Sequence, residues 1–258
     1  MMSNVLFPYI KTAGDPQNPA IVFLHGGGLS SKQWEPQFTG LPNSFYCVAP
    51  DLPEQGQSVD VKPFTLDDSA RRVVELIKTF PSGKAHIVGL SLGGAVALEV
   101  ARTAPEVVDH VIISGTAARL GRLLGWLTTS SAGLYTAFSP ETLLNMAYMQ
   151  FNIPYRYRES LREDLLKGFS VEFTKHFTES LMHLQLPKQA RLLVMVGEKE
   201  TFVAKRAARK LAHDIRGAQG FVVPEGGHLW NLTHPIIFNQ MVEAFVTDKP
   251  LPSELKAL

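Results

Sequence analysis

The sequence predicts an α/β protein with a mostly parallel central sheet, helices on both faces of that sheet and an inserted helical cap. Short apolar runs typical of buried strands alternate with helical patterns over residues 1–116 and again over residues 188–258. Residues 117–187 carry only helical patterns. Alternating strands and helices form parallel sheets with right-handed crossovers. We therefore predict an α/β core from residues 1–116 and 188–258, with residues 117–187 as the cap.

The first part of the core contains five strand patterns and two helical ones. The helix predicted at Leu66–Phe80 has apolar residues at i, i+3, i+4 and i+7, whereas the one at Leu92–Thr103 is apolar on nearly all sides, as in a helix packed against a sheet. β-branched and aromatic residues dominate most of the predicted strands, which are Val5–Ile10, Ala20–Leu24, Phe45–Ala49, Ala85–Gly89 and Val107–Ile113.

The cap prediction depends on apolar stripes at helical spacing and on helix boundary signals. Ser139 and Pro140 combine an N-cap residue with a proline at the first helical position, and Gly168 is a typical helix end. The stripes are Leu120, Leu123, Leu124 and Leu127; Leu161 and Leu165; and Phe173, Phe177, Leu181 and Leu184.

Strand and helix patterns alternate again in the last part of the chain. The tail Thr247–Leu258 contains two prolines, and we expect it to be partly loose. The elements predicted before it are a strand at Arg191–Val196, a helix at Val203–His213, a strand at Gln219–Val223 and a helix at Pro235–Val246.

Composition and charge exclude several classes of function. The chain has 258 residues, 45% of them hydrophobic and 19% charged, and a formal net charge of +1, which predicts a globular protein without nucleic-acid or membrane partners. Its single cysteine, Cys47, lies in an apolar run and is expected to be a buried hydrophobic residue. The N-terminal stretch has no secretory pattern, and no apolar run approaches the ~18 residues that a membrane span needs. These features predict a cytoplasmic protein, and its oligomeric state stays open.

The segment Gly89-Leu90-Ser91-Leu92-Gly93 joins a predicted strand to a predicted helix and has the pattern G-x-S-x-G. In a strand–turn–helix context this pattern is a nucleophile elbow, a sharp turn that exposes a serine hydroxyl at the sheet edge. The following helix directs its unpaired amides and positive dipole end toward the place where an oxyanion would form. A simple Gly/Ser turn is the alternative for this motif alone. Three other segments also favour a site, because His25, Asp51 and Gly197 follow predicted strands at the same sheet edge.

Taken together, the motifs resemble the α/β-hydrolase superfamily, specifically its lid-containing serine hydrolase or esterase type. The resemblance covers nearly the full length and implies the α/β-hydrolase fold. Its motifs are HGGG at 25–28, Trp34, DLPEQGQS at 51–58, GLSLGG at 89–94, GEKE at 197–200 and GGH at 226–228.

The resemblance implies a catalytic triad. A serine hydroxyl needs a base within hydrogen-bond reach, and the family's catalytic histidine corresponds to His228, in the glycine-rich loop after the last predicted strand. His234, directly before a proline, is its closest rival. The family's usual aspartate is replaced here by Glu200, three residues after a glycine, with Glu198 as the alternative acid. A degenerate triad without an acid is the competing hypothesis.

The resemblance also implies an oxyanion hole, formed by the backbone N–H groups of Leu92 and Gly27, with Gly28 as the alternative to Gly27. Trp34 and Gly28 are expected to contact the substrate, with packing in the core as the alternative for Trp34. In DLPEQGQS, Glu54 replaces a glycine of the family pattern, and we interpret Asp51 as a structural residue that accepts hydrogen bonds from loop amides. Neither a phosphate-binding nor a dinucleotide-binding glycine pattern occurs, and no ligand cluster indicates a metal, so we expect neither a cofactor nor a metal.

The sequence thus predicts a serine hydrolase, similar to carboxylesterases, that cleaves a small and largely apolar ester through an acyl-enzyme on Ser91. A ligand-binding or regulatory protein with the same fold is the main alternative. C–C hydrolase or lyase chemistry on the same triad stays open, because fold and triad do not define the substrate.

Overall fold

The computed structural model describes residues 6–117 and 138–258. Eight strands in these ranges form one sheet. The strands are β1 (Ile10–Ala13), β2 (Ala20–Leu24), β3 (Tyr46–Pro50), β4 (Ala85–Leu90), β5 (Val108–Ser114), β6 (Gln189–Gly197), β7 (Arg216–Val223) and β8 (Lys256–Ala257). Their order in the sheet is β1-β3-β2-β4-β5-β6-β7-β8. Only the two edge strands are antiparallel to their neighbours, so the predicted mostly parallel sheet is confirmed for these residues.

Helices cover both faces of the sheet. The helices in the described ranges are α1 (Glu35–Gly40), α2 (Leu66–Lys78), α3 (Leu92–Thr103), α4 (Pro140–Gln150), α5 (Tyr155–Gly168), α6 (Val171–Met182), α7 (Phe202–Asp214), α8 (Trp230–Thr233) and α9 (Pro235–Val246). None of them is both long enough and apolar enough to cross a membrane.

Strand β2 shows how the core divides into two layers. Val22 and Leu24 pack in one hydrophobic cluster with residues of α2, α3 and α7, whereas Ile21 and Phe23 pack in a second cluster with residues of α1, α8 and α9. Successive side chains of a strand point to opposite faces, so a strand covered by helices on both faces must be apolar throughout. This requirement explains the uninterrupted apolar run that predicted β2.

Two predictions at the sheet edges are wrong. The first strand begins at Ile10 instead of Val5, and it lies after Pro8, which has no backbone N–H to donate to a neighbouring strand. The end of the chain is ordered: β8 pairs with Phe221 and Val222 of β7, and Leu255 is buried. The final residues thereby satisfy hydrogen-bonding groups at the edge of β7.

The predicted cap is described in part. Helices α4, α5 and α6 lie within residues 138–187, which we call the helical segment. Its predicted boundary signals are confirmed, since the Ser139 side chain accepts a hydrogen bond from the Thr142 N–H and α5 ends at Gly168. The predicted stripe from Leu120 to Leu127 lies outside the described residues. The division into a core and a cap therefore stays a prediction.

Candidate active site

Ser91 occupies the predicted sharp turn between β4 and α3. Its backbone has φ 53° and ψ −109°, a conformation that is costly for a residue with a side chain. The turn needs glycine on both sides, because a Cβ atom at Gly89 would lie 2.4 Å from the Gly93 carbonyl oxygen and one at Gly93 would lie 2.0 Å from the Leu24 carbonyl oxygen. The Ser91 N–H donates to the Ser114 carbonyl at 2.8 Å, which ties the turn to β5. The strand–turn–helix context of the motif is therefore present.

His228 and Glu200 form a hydrogen-bonded pair at the same edge of the sheet. His228 Nδ1 lies 2.9 Å from Glu200 Oε2, and the two side chains are 21% and 6% exposed. A carboxylate accepts hydrogen bonds, so Nδ1 carries the proton and Nε2 keeps its lone pair. The other oxygen, Glu200 Oε1, accepts from the Gly197 N–H at 3.1 Å. The pair therefore has the geometry of a base and its orienting acid.

The structure separates the two candidate acids. Glu198 turns away from the histidine: its Oε2 accepts from the Glu225 N–H at 2.9 Å, and its Oε1 lies 3.9 Å from Lys256 Nζ. Among the alternatives that the sequence left open, the geometry favours Glu200. The rival histidine, His234, is engaged by a different residue, since its Nδ1 lies 2.8 Å from the Thr233 hydroxyl.

Gly115 is a site residue that the sequence did not reveal. It follows β5 with φ +58°, and a Cβ atom there would lie 2.7 Å from His228 Cε1 and Nδ1 and 3.2 Å from Glu200 Oε2. The histidine ring and the carboxylate therefore pass directly over a position that has room only for glycine. No recognised motif includes this residue, because the constraint comes from contacts across the fold.

Ser91 and His228 line one cavity of about 330 Å³. Most of its wall is apolar, and four phenylalanines contribute to it: Phe151, Phe169, Phe173 and Phe177. Within the described residues, no hydrogen bond joins Ser91 Oγ to the His228 ring. Catalytic hydrogen bonds are often long or poorly aligned without substrate and tighten in the reacting complex. The cavity suits an apolar group placed next to a hydroxyl and an imidazole.

The two predicted oxyanion donors, Leu92 and Gly27, belong to different elements. Leu92 is the first residue of α3, in the helical turn whose N–H groups have no partner within the helix. Gly27 belongs to the loop after β2 and lines the cavity. Gly28 is already engaged, because its N–H donates to Gln55 Oε1 at 2.6 Å.

Trp34 is not brought to the cavity. Its side chain is 0% exposed and lies between the rings of Phe23 and Phe238, with centroid distances of 5.1 and 5.8 Å. Its expected contact with substrate therefore has no support in the described residues. The residue packs in the core beneath the loops of the site.

Two polar residues support the loops around the site, and for Asp51 the sequence predicts this role. Buried His25 donates from Nδ1 to the Gly26 carbonyl at 2.8 Å and accepts from the Leu52 N–H at Nε2, 3.0 Å away. Burial lowers the pKa of His25, which favours the neutral form that these bonds require. Asp51 accepts from the N–H groups of Ser31 and Gln57 at 2.8 and 2.9 Å.

One group of possible metal ligands occurs among the described residues: Glu54, Glu172 and His176. Each of them already has a partner in the structure. His176 Nδ1 lies 3.0 Å from Glu54 Oε1, and Lys62 Nζ lies 3.1 Å from Glu172 Oε2. We assign these residues to links between the core and α6, not to a metal.

Residues 21–240 match the family model described as the alpha/beta hydrolase family. The chain belongs to this family. Its nucleophile elbow and histidine loop are two of the motifs on which the resemblance depends.

The names of the relatives of this alpha/beta hydrolase describe several activities. An AB hydrolase superfamily protein of Gibberella zeae is 37% identical, over 39% of this chain and 36% of its own length. Carboxylesterase YbfK of Bacillus subtilis is 25% identical, over 92% of this chain and 83% of its own. A 2-hydroxy-6-oxo-6-phenylhexa-2,4-dienoate hydrolase of Burkholderia cepacia is 26% identical, over 93% and 91%.

Solved structures show the same fold. A hydrolase from Pseudomonas aeruginosa PA01 aligns with a TM-score of 0.77 and 21% identity, over 92% of this chain and 93% of its own. The named relatives are hydrolases, which supports hydrolase activity for this chain as well.

Proposed function

We propose that this alpha/beta hydrolase is a serine hydrolase that cleaves a small, largely apolar ester through an acyl-enzyme. The observation that carries the proposal is the bond of 2.9 Å between His228 Nδ1 and Glu200 Oε2, next to a cavity shared by His228 and Ser91. That bond orients the lone pair of Nε2 for use as a base. The apolar wall of the cavity supports an apolar substrate.

In the proposed acylation step, Ser91 Oγ attacks the ester carbonyl carbon while His228 Nε2 accepts the hydroxyl proton. The negative charge that develops on the carbonyl oxygen is stabilised by the N–H groups of Leu92 and Gly27. The imidazolium then gives its proton to the leaving alcohol as the C–O bond breaks. Glu200 stabilises the imidazolium without taking its proton.

Deacylation reverses these roles with water. His228 removes a proton from a water molecule, which attacks the acyl carbonyl carbon, and Ser91 Oγ leaves with the proton that His228 returns. Every step uses side chains, backbone amides and water. We propose that the substrate is a small molecule. The cytoplasmic location is a prediction from the sequence.

Labelling with a fluorophosphonate, followed by mass spectrometry of the intact protein, tests the activated serine. We expect one adduct on the wild type, none on Ser91→Ala, and labelling of Glu200→Gln that is slower by about 10³-fold or more, as for loss of a triad acid. An unlabelled wild type would contradict the proposal. It would favour the ligand-binding alternative, to be tested by equilibrium binding of apolar esters and their acids.

C–C bond hydrolysis is the second candidate, and the name of the Burkholderia cepacia relative favours it. A steady-state comparison of short aryl esters with a vinylogous diketone separates the two. Faster turnover of the ester supports the main proposal. A far higher kcat/KM for the diketone would contradict it and favour C–C bond hydrolysis.

A further inference from the structure

Gln55 lies in the loop after β3, next to the departure from the family pattern at Glu54. Its side chain is 0% exposed, and both ends of its amide are used. Oε1 accepts from the Gly28 N–H at 2.6 Å, while Nε2 donates to the carbonyls of Glu54 and Gly168 at 2.8 and 3.1 Å. One buried amide therefore joins the loop after β2 to the last residue of α5. Because this loop contains Gly27, we call it the oxyanion loop.

The end of α5 also rests directly on the oxyanion loop. A Cβ atom at Gly168 would lie 2.6 Å from the Gly28 Cα and 2.9 Å from Gln55 Oε1. A Cβ atom at Gly28 would lie 2.1 Å from the Phe169 ring. With no space between these groups, a displacement of the end of α5 toward this loop must also displace Gly28 or Gln55.

Gly27 is held between two such amides. The Gly26 N–H donates to Gln33 Oε1 at 2.9 Å, and the Gly28 N–H donates to Gln55 Oε1 at 2.6 Å. Both glutamines are buried. Among the described residues, the Gly27 N–H has no hydrogen-bond partner, and Gly27 lines the cavity next to Ser91. Fixing the peptides on both sides leaves this one donor available to an oxyanion.

We propose that Gln55 is a positioning residue of the oxyanion hole, which couples the orientation of the Gly27 amide to the seating of α5 on the core. The inference rests on the proposed esterase function and adds the residue that fixes its oxyanion donor. A donor contributes most when it is fixed before charge develops, because no reorganisation is then needed during the reaction. The acceptor atom, Gln55 Oε1, holds the Gly28 N–H next to the oxyanion hole. The donor atom, Gln55 Nε2, bonds to the Gly168 carbonyl of the helical segment.

Three variants separate these two ends. Gln55→Met keeps the length of the side chain but can neither accept nor donate. Gln55→Glu keeps an oxygen acceptor for the Gly28 N–H in either protonation state. Gly168→Ala leaves Gln55 intact and pushes a methyl group against Oε1 and Gly28. The matched control is Glu172→Gln, which removes the surface ion pair with Lys62 and so another link between the helical segment and the core.

The measurements are kcat and KM for p-nitrophenyl butyrate, and Ki for phenylboronic acid. Boron accepts an electron pair from Ser91 Oγ, whose proton goes to His228, so the tetrahedral adduct presents an oxygen to the oxyanion hole. We expect Q55M and G168A to lower kcat about 10- to 100-fold and to raise Ki by a similar factor. Q55E should keep kcat and Ki within about threefold and raise KM, while E172Q should change neither kcat nor Ki.

Equal values of kcat and Ki for Q55M and the wild type would overturn the inference, and so would equal losses in Q55M and Q55E. If Q55M does not fold, G168A decides, because alanine is a better helix residue than glycine and the variant removes no hydrogen bond. Wild-type kcat and Ki in G168A would then refute the coupling. A wild type that neither turns over the ester nor binds the boronic acid would refute the proposed function itself, and the inference with it.

Discussion

Glu200 stands where the family's usual sequence has aspartate, and the turn around it accommodates the longer side chain. Its own N–H donates to the Gly197 carbonyl at 3.1 Å, and its Oε1 accepts from the Gly197 N–H at 3.1 Å. The side chain thus folds back over its own turn before Oε2 reaches His228. The extra methylene is absorbed by this turn, while the carboxylate stays buried and oriented.

Glu200→Asp should be less active than the wild type even though it restores the family's usual residue. Shortening the side chain by one methylene withdraws the carboxylate from His228 Nδ1, because the turn keeps its backbone in place. We expect kcat to fall about 10- to 100-fold, less than the ~10⁴-fold typical of losing the acid function. Steady-state kinetics with a short aryl ester measure this, with Glu198→Asp as the control. An E200D variant with wild-type kcat would contradict the interpretation of the turn.

Gly115 should tolerate no side chain in an active enzyme. A methyl group there would lie 2.7 Å from the His228 ring, so Gly115→Ala must shift the ring, and its φ of +58° adds backbone strain. We expect a loss of activity of about 10²-fold, with a destabilisation of only about 1–2 kcal/mol. Gly83→Ala is the matched control, because Gly83 also has a positive φ but no atom lies near its added Cβ. Loss of stability without a greater loss of activity than in G83A would contradict this role.

These residues show which parts of a site can be predicted from sequence. Ser91, His228 and Glu200 were proposed from local motifs, because each lies in a short segment with its own glycine pattern. Gly115 and Gln55 were missed, because their constraints come from other parts of the fold: His228 and Glu200 for Gly115, and Gly28 and Gly168 for Gln55. Trp34 was a candidate for the substrate site, yet its size and apolar character suit the core equally well.

At the scale of elements, buried Asp164 connects α5 to the loop after β2. Its carboxylate accepts from the Ser30 hydroxyl at 2.5 Å and lies 3.3 Å from Lys32 Nζ. Removing one partner of a buried polar group leaves the other groups unsatisfied. This contact therefore stabilises α5 against the core next to the oxyanion loop.

We expect Asp164→Ala to destabilise the protein by about 1–3 kcal/mol and to loosen α5 first. Hydrogen exchange measured by mass spectrometry should show faster exchange in Tyr155–Gly168 than in the wild type, with little change in Leu92–Thr103. Glu163→Ala is the control on the same helix, because its ion pair with Lys167 is exposed and contributes little. Uniformly faster exchange in both helices would instead indicate a global loss of stability.

Elements that are marked by signals in their own sequence were predicted better than elements whose conformation depends on a neighbouring strand. The strand β2 and the helices α3 and α9 have the predicted bounds, since apolar runs, glycines and prolines mark them. The edge strands β1 and β8 were misplaced or missed. Both are short and pair with only one neighbour, so their conformation depends on β3 and β7 more than on their own residues.

For the molecule as a whole, the order of the sheet assembles the site. Ser91, Gly115, Glu200 and His228 follow β4, β5, β6 and β7, which are consecutive neighbours in the sheet. The carboxyl ends of parallel strands meet at one edge, so residues separated by more than 130 positions come together without a long loop. The helical segment between β5 and β6 then adds α6, whose phenylalanines line the cavity over this edge.

A pair of buried histidines on β4 and β5 should make the stability of the molecule depend on pH. His86 Nδ1 lies 3.2 Å from His110 Nδ1, and His110 Nε2 lies 3.5 Å from Asp248 Oδ1. Burial, followed by the neighbouring His110, lowers the pKa of His86 to about 4, and burial also lowers the pKa of His110. The nearby charges are Asp109, Arg191 and Asp248.

The direction of the effect follows from proton binding. Below about pH 6.5 the unfolded chain protonates His86, whereas the folded chain resists this protonation until about pH 4. The contribution of His86 to stability is therefore fully present above pH 6.5 and is lost as the pH decreases from 6.5 to 4. For His86 alone we expect a loss of roughly 2–3 kcal/mol by pH 4.5, which corresponds to about 5–10 °C in Tm.

The variant His86→Gln isolates this contribution, because glutamine is neutral at every pH and can still bond to His110. Thermal denaturation at pH 7 and pH 4.5 should show a smaller loss of Tm in H86Q than in the wild type, by about 5–10 °C. His213→Gln is the control, since that histidine is exposed and should leave the difference between the two pH values unchanged. Equal losses of Tm in H86Q and the wild type would mean that protonation of other groups, chiefly the carboxylates, accounts for the acid sensitivity. In that case the histidine pair would contribute only packing and a hydrogen bond to the fold.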